Sequence, residues 1–179
     1  MTFEEFIKDR LTHPEFKKEW EELHQINSLG EALEILSHLY EDSEPSDTSL
    51  AGILKNKGIK ANEAIPNNII FYERKDVCPV YDFIVGIEDE KLQAKIAEDI
   101  EMLSIEGYKL QKPKMSYVKD GIYELRTKQG SNITRIVYAF VEGNNIVLTN
   151  GYVKKQQKLD EREFDKAKRY RDDYIRRNH

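Results

Sequence analysis

The chain has 179 residues, 39% of them hydrophobic and 34% charged, with a net charge of -5. That composition fits one soluble domain of ordinary size, or one of about 110 residues with a smaller appendage, and no apolar run approaches the roughly 20 residues that span a bilayer. Cys78 is the only cysteine, which excludes an intrachain disulfide and a cysteine-cluster metal site. The start, MTFEEFIKDR, is acidic and amphipathic and unlike a secretory leader, so a cytoplasmic location is expected.

In chain order, the first 41 residues read as three short helices. Thr2 with Glu5 forms a capping-box pattern, followed by an apolar face of Phe3, Phe6, Ile7 and Leu11. At THPEF, Thr12 or His13 caps and Pro14 enters the first turn, with Phe16, Trp20 and Leu23 as the stripe. Ser28 with Glu31 opens a third helix carrying Leu33, Leu36 and Tyr40. A polar loop, Glu41 to Ser49, precedes a short helix over 50–58 that ends at Gly58. We place a boundary near Pro66, giving a helical extension over 1–66 and a second domain over 67–179.

From Asn67 the pattern changes. NIIFYER predicts a strand and VYDFIVGI a short helix. The stretch from Glu88 to Gly107 predicts a long helix, with Leu92, Ile96, Ile100 and Leu103 on one face and Gly107 as its stop. KLQKPKMSYVKD reads as a loop. Three strands then follow in GIYELRTK, NITRIVYAFVE and NNIVLTNGYVKK, joined at Gly130-Ser131-Asn132 and Gly143-Asn144-Asn145. A last helix begins near Asp160 and turns Phe164, Ala167, Tyr170 and Tyr174 inward. The expected fold is α+β, a mostly antiparallel sheet with helices on one face, preceded by a small all-α extension.

Charge is unevenly spread. Residues 1–108 carry a net of -13 and residues 109–179 a net of +8, ten of the basic residues lying from Lys154 onward. A basic C-terminal third is the electrostatic footprint of a polyanion partner, although a solvated basic helix explains part of it. The four histidines are His13, His24, His38 and His179, so no histidine-based acid–base pair can sit between residues 39 and 178. Neither GxGxxG nor a phosphate-binding GxxxxGK[ST] occurs. Asp82, Glu88, Asp89 and Glu90 cluster at helix starts, where carboxylates meet the dipole favourably.

What remains is the sheet and its cations. If the strands pair in order, Arg126 and Arg135 flank one hairpin turn, and the third strand returns its end, with Lys154, Lys155 and Lys158, towards Arg135. Such arginines are costly to bury without a partner. A phosphate chain would be one, through bidentate guanidinium contacts. Structural salt bridges to Glu124, Glu142 or helix carboxylates are the competing explanation, and the lysines could be an exposed strand end. Tyr123, Tyr138 and Tyr152 sit on strands, where core packing competes with base stacking.

The stretch GIYELRTKQGSNITRIVYAFVEGNNIVLTNGYVKKQQKLDEREFDKAKRYRDDY resembles the RelE/HigB superfamily of bacterial and phage toxins, in its phage-derived HigB-like branch. The ordered hallmarks are Glu124-Leu125-Arg126, Arg135 to Tyr138, Gly151 to Lys158 and a basic, aromatic last helix, within a likeness covering about residues 67–177. The resemblance implies a RelE-like fold and an endoribonuclease toxin that cleaves mRNA, usually on the ribosome, without metal or cofactor. It further implies a cognate antitoxin, of HigA type, encoded in the adjacent gene. On that basis Arg126, Arg135, Lys154 and Lys155 are the expected catalytic residues, with Lys158, Lys128 and Tyr152 on flanking RNA. The first 60 residues are weakly similar to the leading helices of HigA-type antitoxins. Residues 1–66 carry a net of -7 and could mask the basic site from within the chain, or serve as a buttress. A non-catalytic module binding nucleic acid or antitoxin, and a ParE-like gyrase inhibitor, are the alternative functions.

Overall fold

The computed structural model describes residues 1–24, 67–153 and 161–178. The elements expected over 28–40, 41–49 and 50–58 lie outside them, as do Lys154, Lys155 and Lys158. The chain divides into one unit of residues 1–20 and 66–179 and another of residues 21–65. The first 20 residues are thus packed with the sheet.

Helix α1 (Phe3–Arg10) starts as its sequence requires: Thr2 Oγ1 accepts from the Glu5 amide at 3.2 Å, and Glu5 Oε2 accepts from the Thr2 amide at 2.7 Å. The reciprocal bonds satisfy two amides that the helix leaves free. Helix α2 (Pro14–His24) begins on Pro14, whose missing N–H costs nothing in a first turn. Phe6 and Phe16 are fully buried, and Phe6 stacks on Phe71 of strand β1 (Asn68–Phe71) with ring centroids 5.1 Å apart.

After β1 come α3 (Pro79–Val85) and α4 (Glu90–Glu106), then β2 (Met115–Lys119), β3 (Ile122–Gln129), β4 (Asn132–Phe140), β5 (Asn145–Val153) and α5 (Glu161–Asn178). Asp89 caps α4 by accepting from the Leu92 amide, and Gly107 ends it at φ +52°, a left-handed backbone that favours glycine. The sheet order is β1-β5-β4-β3-β2, with β1 parallel to β5 and the other pairs antiparallel. The fold is α+β, a mostly antiparallel sheet with helices. Strand β2 corrects the loop expected there. It is an edge strand with no fully buried residue, so it lacks the alternation that marks an inner strand.

The expectation of helices on one face only is also corrected: α3 and α4 cover one face, and α5 covers the other. Phe83 of α3 lies on Gly151, where a Cβ would collide with the ring. Thr127 donates to Asp99 of α4 at 2.7 Å. Phe164 and Ala167 of α5 instead pack with Ile122, Val137 and Ala139, and Tyr152 lies against that cluster. Gly151 and Tyr152 are successive, so they mark opposite faces.

Candidate functional site on the face beneath the last helix

The hairpin of β3 and β4 closes from Gln129 to Asn132 through Gly130 and Ser131, Gly130 standing at φ +57°. This closure fixes the register, and the register sets Arg126 directly opposite Arg135. Residues facing each other on neighbouring strands have Cβ atoms about 4.5–5.5 Å apart, and like charges there are destabilising. The strands are therefore built with a local repulsion that folding alone does not call for.

Moving along this face, Ile122 lies opposite Ala139, Glu124 opposite Val137, Arg126 opposite Arg135, and Lys128 opposite Ile133. Helix α5 covers the Ile122 end. The arginine tier comes two tiers further out, where polar neighbours replace apolar ones. On β5, Tyr152 pairs with Arg135 and Asn150 with Val137. That placement depends on a bulge at Thr149, which breaks the register between Val137 and Tyr138. The Thr149 hydroxyl donates to the Val137 carbonyl at 3.0 Å. Without the extra residue, alternation from Val147 would turn Gly151 to the arginines and Tyr152 away.

Glu124, Arg135 and Tyr152 form one cluster across three strands. Glu124 is 6% exposed and Arg135 9%. Arg135 Nε approaches Glu124 Oε2 at 3.5 Å, an ion pair rather than a hydrogen bond. The Tyr152 hydroxyl donates to the other Glu124 oxygen. Burial raises the Tyr152 phenol well above its ordinary range and the bond to Glu124 adds to this, so it stays a protonated donor. Burial draws the Arg135 guanidinium down, against Glu124, which holds it up, while Arg126 pushes it further down.

Arg126 differs. It is half-buried and makes no ion pair among the described residues, although its Nε, like that of Arg135, is buried without a hydrogen-bond partner there. Lys128 is exposed on the next tier. The structure therefore brings together Arg126, Arg135, Tyr152 and Lys128. Lys154 and Lys155, which follow Val153 directly, lie with Lys158 outside the described residues. In the sequence Glu124 stands as a rival salt-bridge partner and as part of the Glu124-Leu125-Arg126 hallmark; in the structure it pairs with one arginine and anchors the tyrosine of the third strand. Helix α1 packs on β1, and its last residue, Arg10, donates to Gln93 of α4 at 2.8 Å, so residues 1–20 gather around the β1 side of the sheet.

Residues 87–172 match the Gp49-like family. Its model is that of the phage-derived protein Gp49-like (DUF891), a family of toxin–antitoxin toxins among the RelE/HigB-like toxins. The match spans β2 to β5 and so includes Arg126, Arg135, Glu124 and Tyr152. No curated protein matches the chain. Among the described residues, no helix is long and apolar enough to cross a membrane.

Proposed function

We propose that the chain is a toxin of the HigB-like kind that cleaves mRNA as an endoribonuclease, acting on the ribosome and held in check by an antitoxin. The observation that carries this is the pairing of Arg126 with Arg135 on one sheet face, the first making no ion pair among the described residues while the second pairs with Glu124.

In the reaction the RNA 2′-oxygen forms a bond to the adjacent phosphorus while the bond from phosphorus to the 5′-oxygen breaks. A 2′,3′-cyclic phosphate and a 5′-hydroxyl result, and the 2′-hydroxyl proton is returned to the leaving oxygen. Charge grows on the non-bridging oxygens of the five-coordinate phosphorus. Guanidinium groups fixed before the reaction stabilise that charge without reorganising, worth about two to three orders of magnitude in rate for one donor in comparable sites. Arg126 supplies the uncommitted guanidinium. Arg135, steadied by Glu124, supplies the second. Lys154 or Lys155 is proposed to stabilise the developing charge or, as acid, to pass that proton to the leaving oxygen, Lys128 and Lys158 hold flanking phosphates, and Tyr152 fixes Glu124 from β5.

Induced expression tests the proposal. The wild-type chain is expected to arrest growth and to leave discrete cuts in cellular mRNA by primer extension, and Arg135→Ala to do neither. Arrest with intact mRNA and inhibited DNA supercoiling would replace the nuclease with a gyrase inhibitor.

A further inference from the structure

A second cationic feature lies away from the arginine pair. The turn after β1 and the C-terminal half of α5 enclose a cleft of about 620 Å³, lined by Arg74, Lys75, Val77, Arg169, Tyr170 and Arg176 among others. The turn is a two-residue reversal: Arg74 and Val77 exchange amide-to-carbonyl bonds at 3.0 and 3.1 Å, and Lys75 and Asp76 both have positive φ, 47° and 62°. Side chains of this kind adopt that backbone at a cost, and the outcome is a turn that holds Arg74 and Lys75 over α5.

The electrostatics of the cleft are unbalanced. Asp173 is the carboxylate at its centre. It accepts from the Tyr72 hydroxyl at 2.8 Å and faces Arg74 at 2.8 Å, Arg177 at 2.9 Å and Arg176 at 4.0 Å. One anion thus serves three guanidiniums. Asp172 is already engaged by Arg171 at 2.7 Å. Lys75 and Arg169 make no ion pair among the described residues, and the Arg176 side chain is 76% exposed. Surplus positive charge around a rigid anchor, with the Tyr72 and Tyr170 rings stacked at 4.4 Å beneath it, is an arrangement for an anion with several acceptor oxygens.

We infer that this cleft is a second phosphate-binding position for the RNA whose scissile phosphate lies at Arg126 and Arg135. The inference rests on the RNA proposal made above. Continuity favours RNA over other anions. Arg162, Lys166, Arg169 and Arg176 are spaced by four, three and seven residues, so they share one line along α5. The helix begins beside the sheet site, where Asn150 donates to Glu163 at 2.7 Å. From Glu163 to Arg176 the helix rises by roughly 20 Å. A strand of several nucleotides reaches both positions, and a very short one reaches only one. Arg74, Lys75 and Arg176 lie outside the span that matches the Gp49-like family, so part of the cleft wall lies beyond the matched segment.

The experiment uses the full chain and all-2′-O-methyl RNA, which cannot be cleaved through its 2′-oxygen, as a dodecanucleotide and a tetranucleotide. Charge reversal at two exposed positions, Arg169→Glu with Arg176→Glu, is expected to weaken dodecanucleotide binding at least tenfold. It should also make the dependence of log K on log salt shallower by about 0.7 for each phosphate that is no longer neutralised. Tetranucleotide binding should change by less than twofold. Unchanged dodecanucleotide affinity overturns the cleft. So does a glutamate-rich peptide that binds the wild-type chain but not the double variant, while RNA binding persists in both. Arg135→Ala keeps the two proposals apart. If it weakens both oligonucleotides while the double variant weakens neither, only the cleft fails. If Arg135→Ala weakens neither, the RNA face of the sheet fails.

Discussion

The two faces of the sheet each hold a buried carboxylate, and the two are used differently. Beneath α4, Asp99 is fully enclosed and receives both Lys114 Nζ and the Thr127 hydroxyl. One cation meets one anion, and the cluster is closed. Beneath α5, Glu124 meets Arg135 and Tyr152, but a second guanidinium, Arg126, stands opposite Arg135 with no carboxylate of its own among the described residues. A closed cluster holds the fold together; the open one keeps a positive charge that no carboxylate among the described residues balances. The same alternation produced both, so the excess charge, rather than burial, distinguishes the proposed site.

That contrast is broken most severely at Lys114. Lys114→Met leaves Asp99 buried without its cation and is expected to cost about 3 kcal/mol, since removing one partner of a buried pair strands the other. Urea titration reads it, and RNA cleavage per folded molecule should be unchanged. Next, Gly151→Val pushes a side chain into Phe83 and should cost about 1–3 kcal/mol, visible as a lower Tm. A smaller and opposite effect is expected at Tyr138, whose hydroxyl is buried with no hydrogen-bond partner among the described residues. Tyr138→Phe should stabilise the protein by about 1 kcal/mol in the same titration, and a loss of stability would show that the hydroxyl has a partner after all.

The smallest effects concern titration. Cys78 is buried, and burial raises its thiol pKa, so iodoacetamide should alkylate the native protein much more slowly at neutral pH than the urea-unfolded chain. The Tyr72 hydroxyl, then Arg74 and Arg177, hold the Asp173 carboxyl below its ordinary range. Its contribution to docking α5 is therefore complete above the unfolded value of about 3.9 and fades as pH falls through the lower folded value. Asp173→Asn should remove that share of the acid dependence from the urea midpoint.

The open cluster was partly legible in the sequence. Hairpin signals at Gly130 and Gly143 gave the order of β3, β4 and β5, and period-2 alternation placed Arg126 and Arg135 beside the same turn. Their direct pairing is fixed by the register, with Gln129 opposite Asn132, which the turn residues alone do not specify. The bulge at Thr149 was not legible, because one inserted residue leaves no mark in composition, yet it decides that Tyr152 faces the arginines. Strand β2 escaped because an edge strand with no fully buried residue shows no apolar alternation. The cleft at Asp173 escaped for another reason: Arg74 and Asp173 are 99 residues apart, and nothing local links them.

The central claim is that Arg126 is the uncommitted half of a phosphate clamp. Purified Arg126→Ala, assayed on ribosomes translating a defined mRNA, measures it most directly. About a hundredfold slower cleavage with the wild-type Tm is the predicted result. Cleavage at the wild-type rate by a folded Arg126→Ala protein would contradict it.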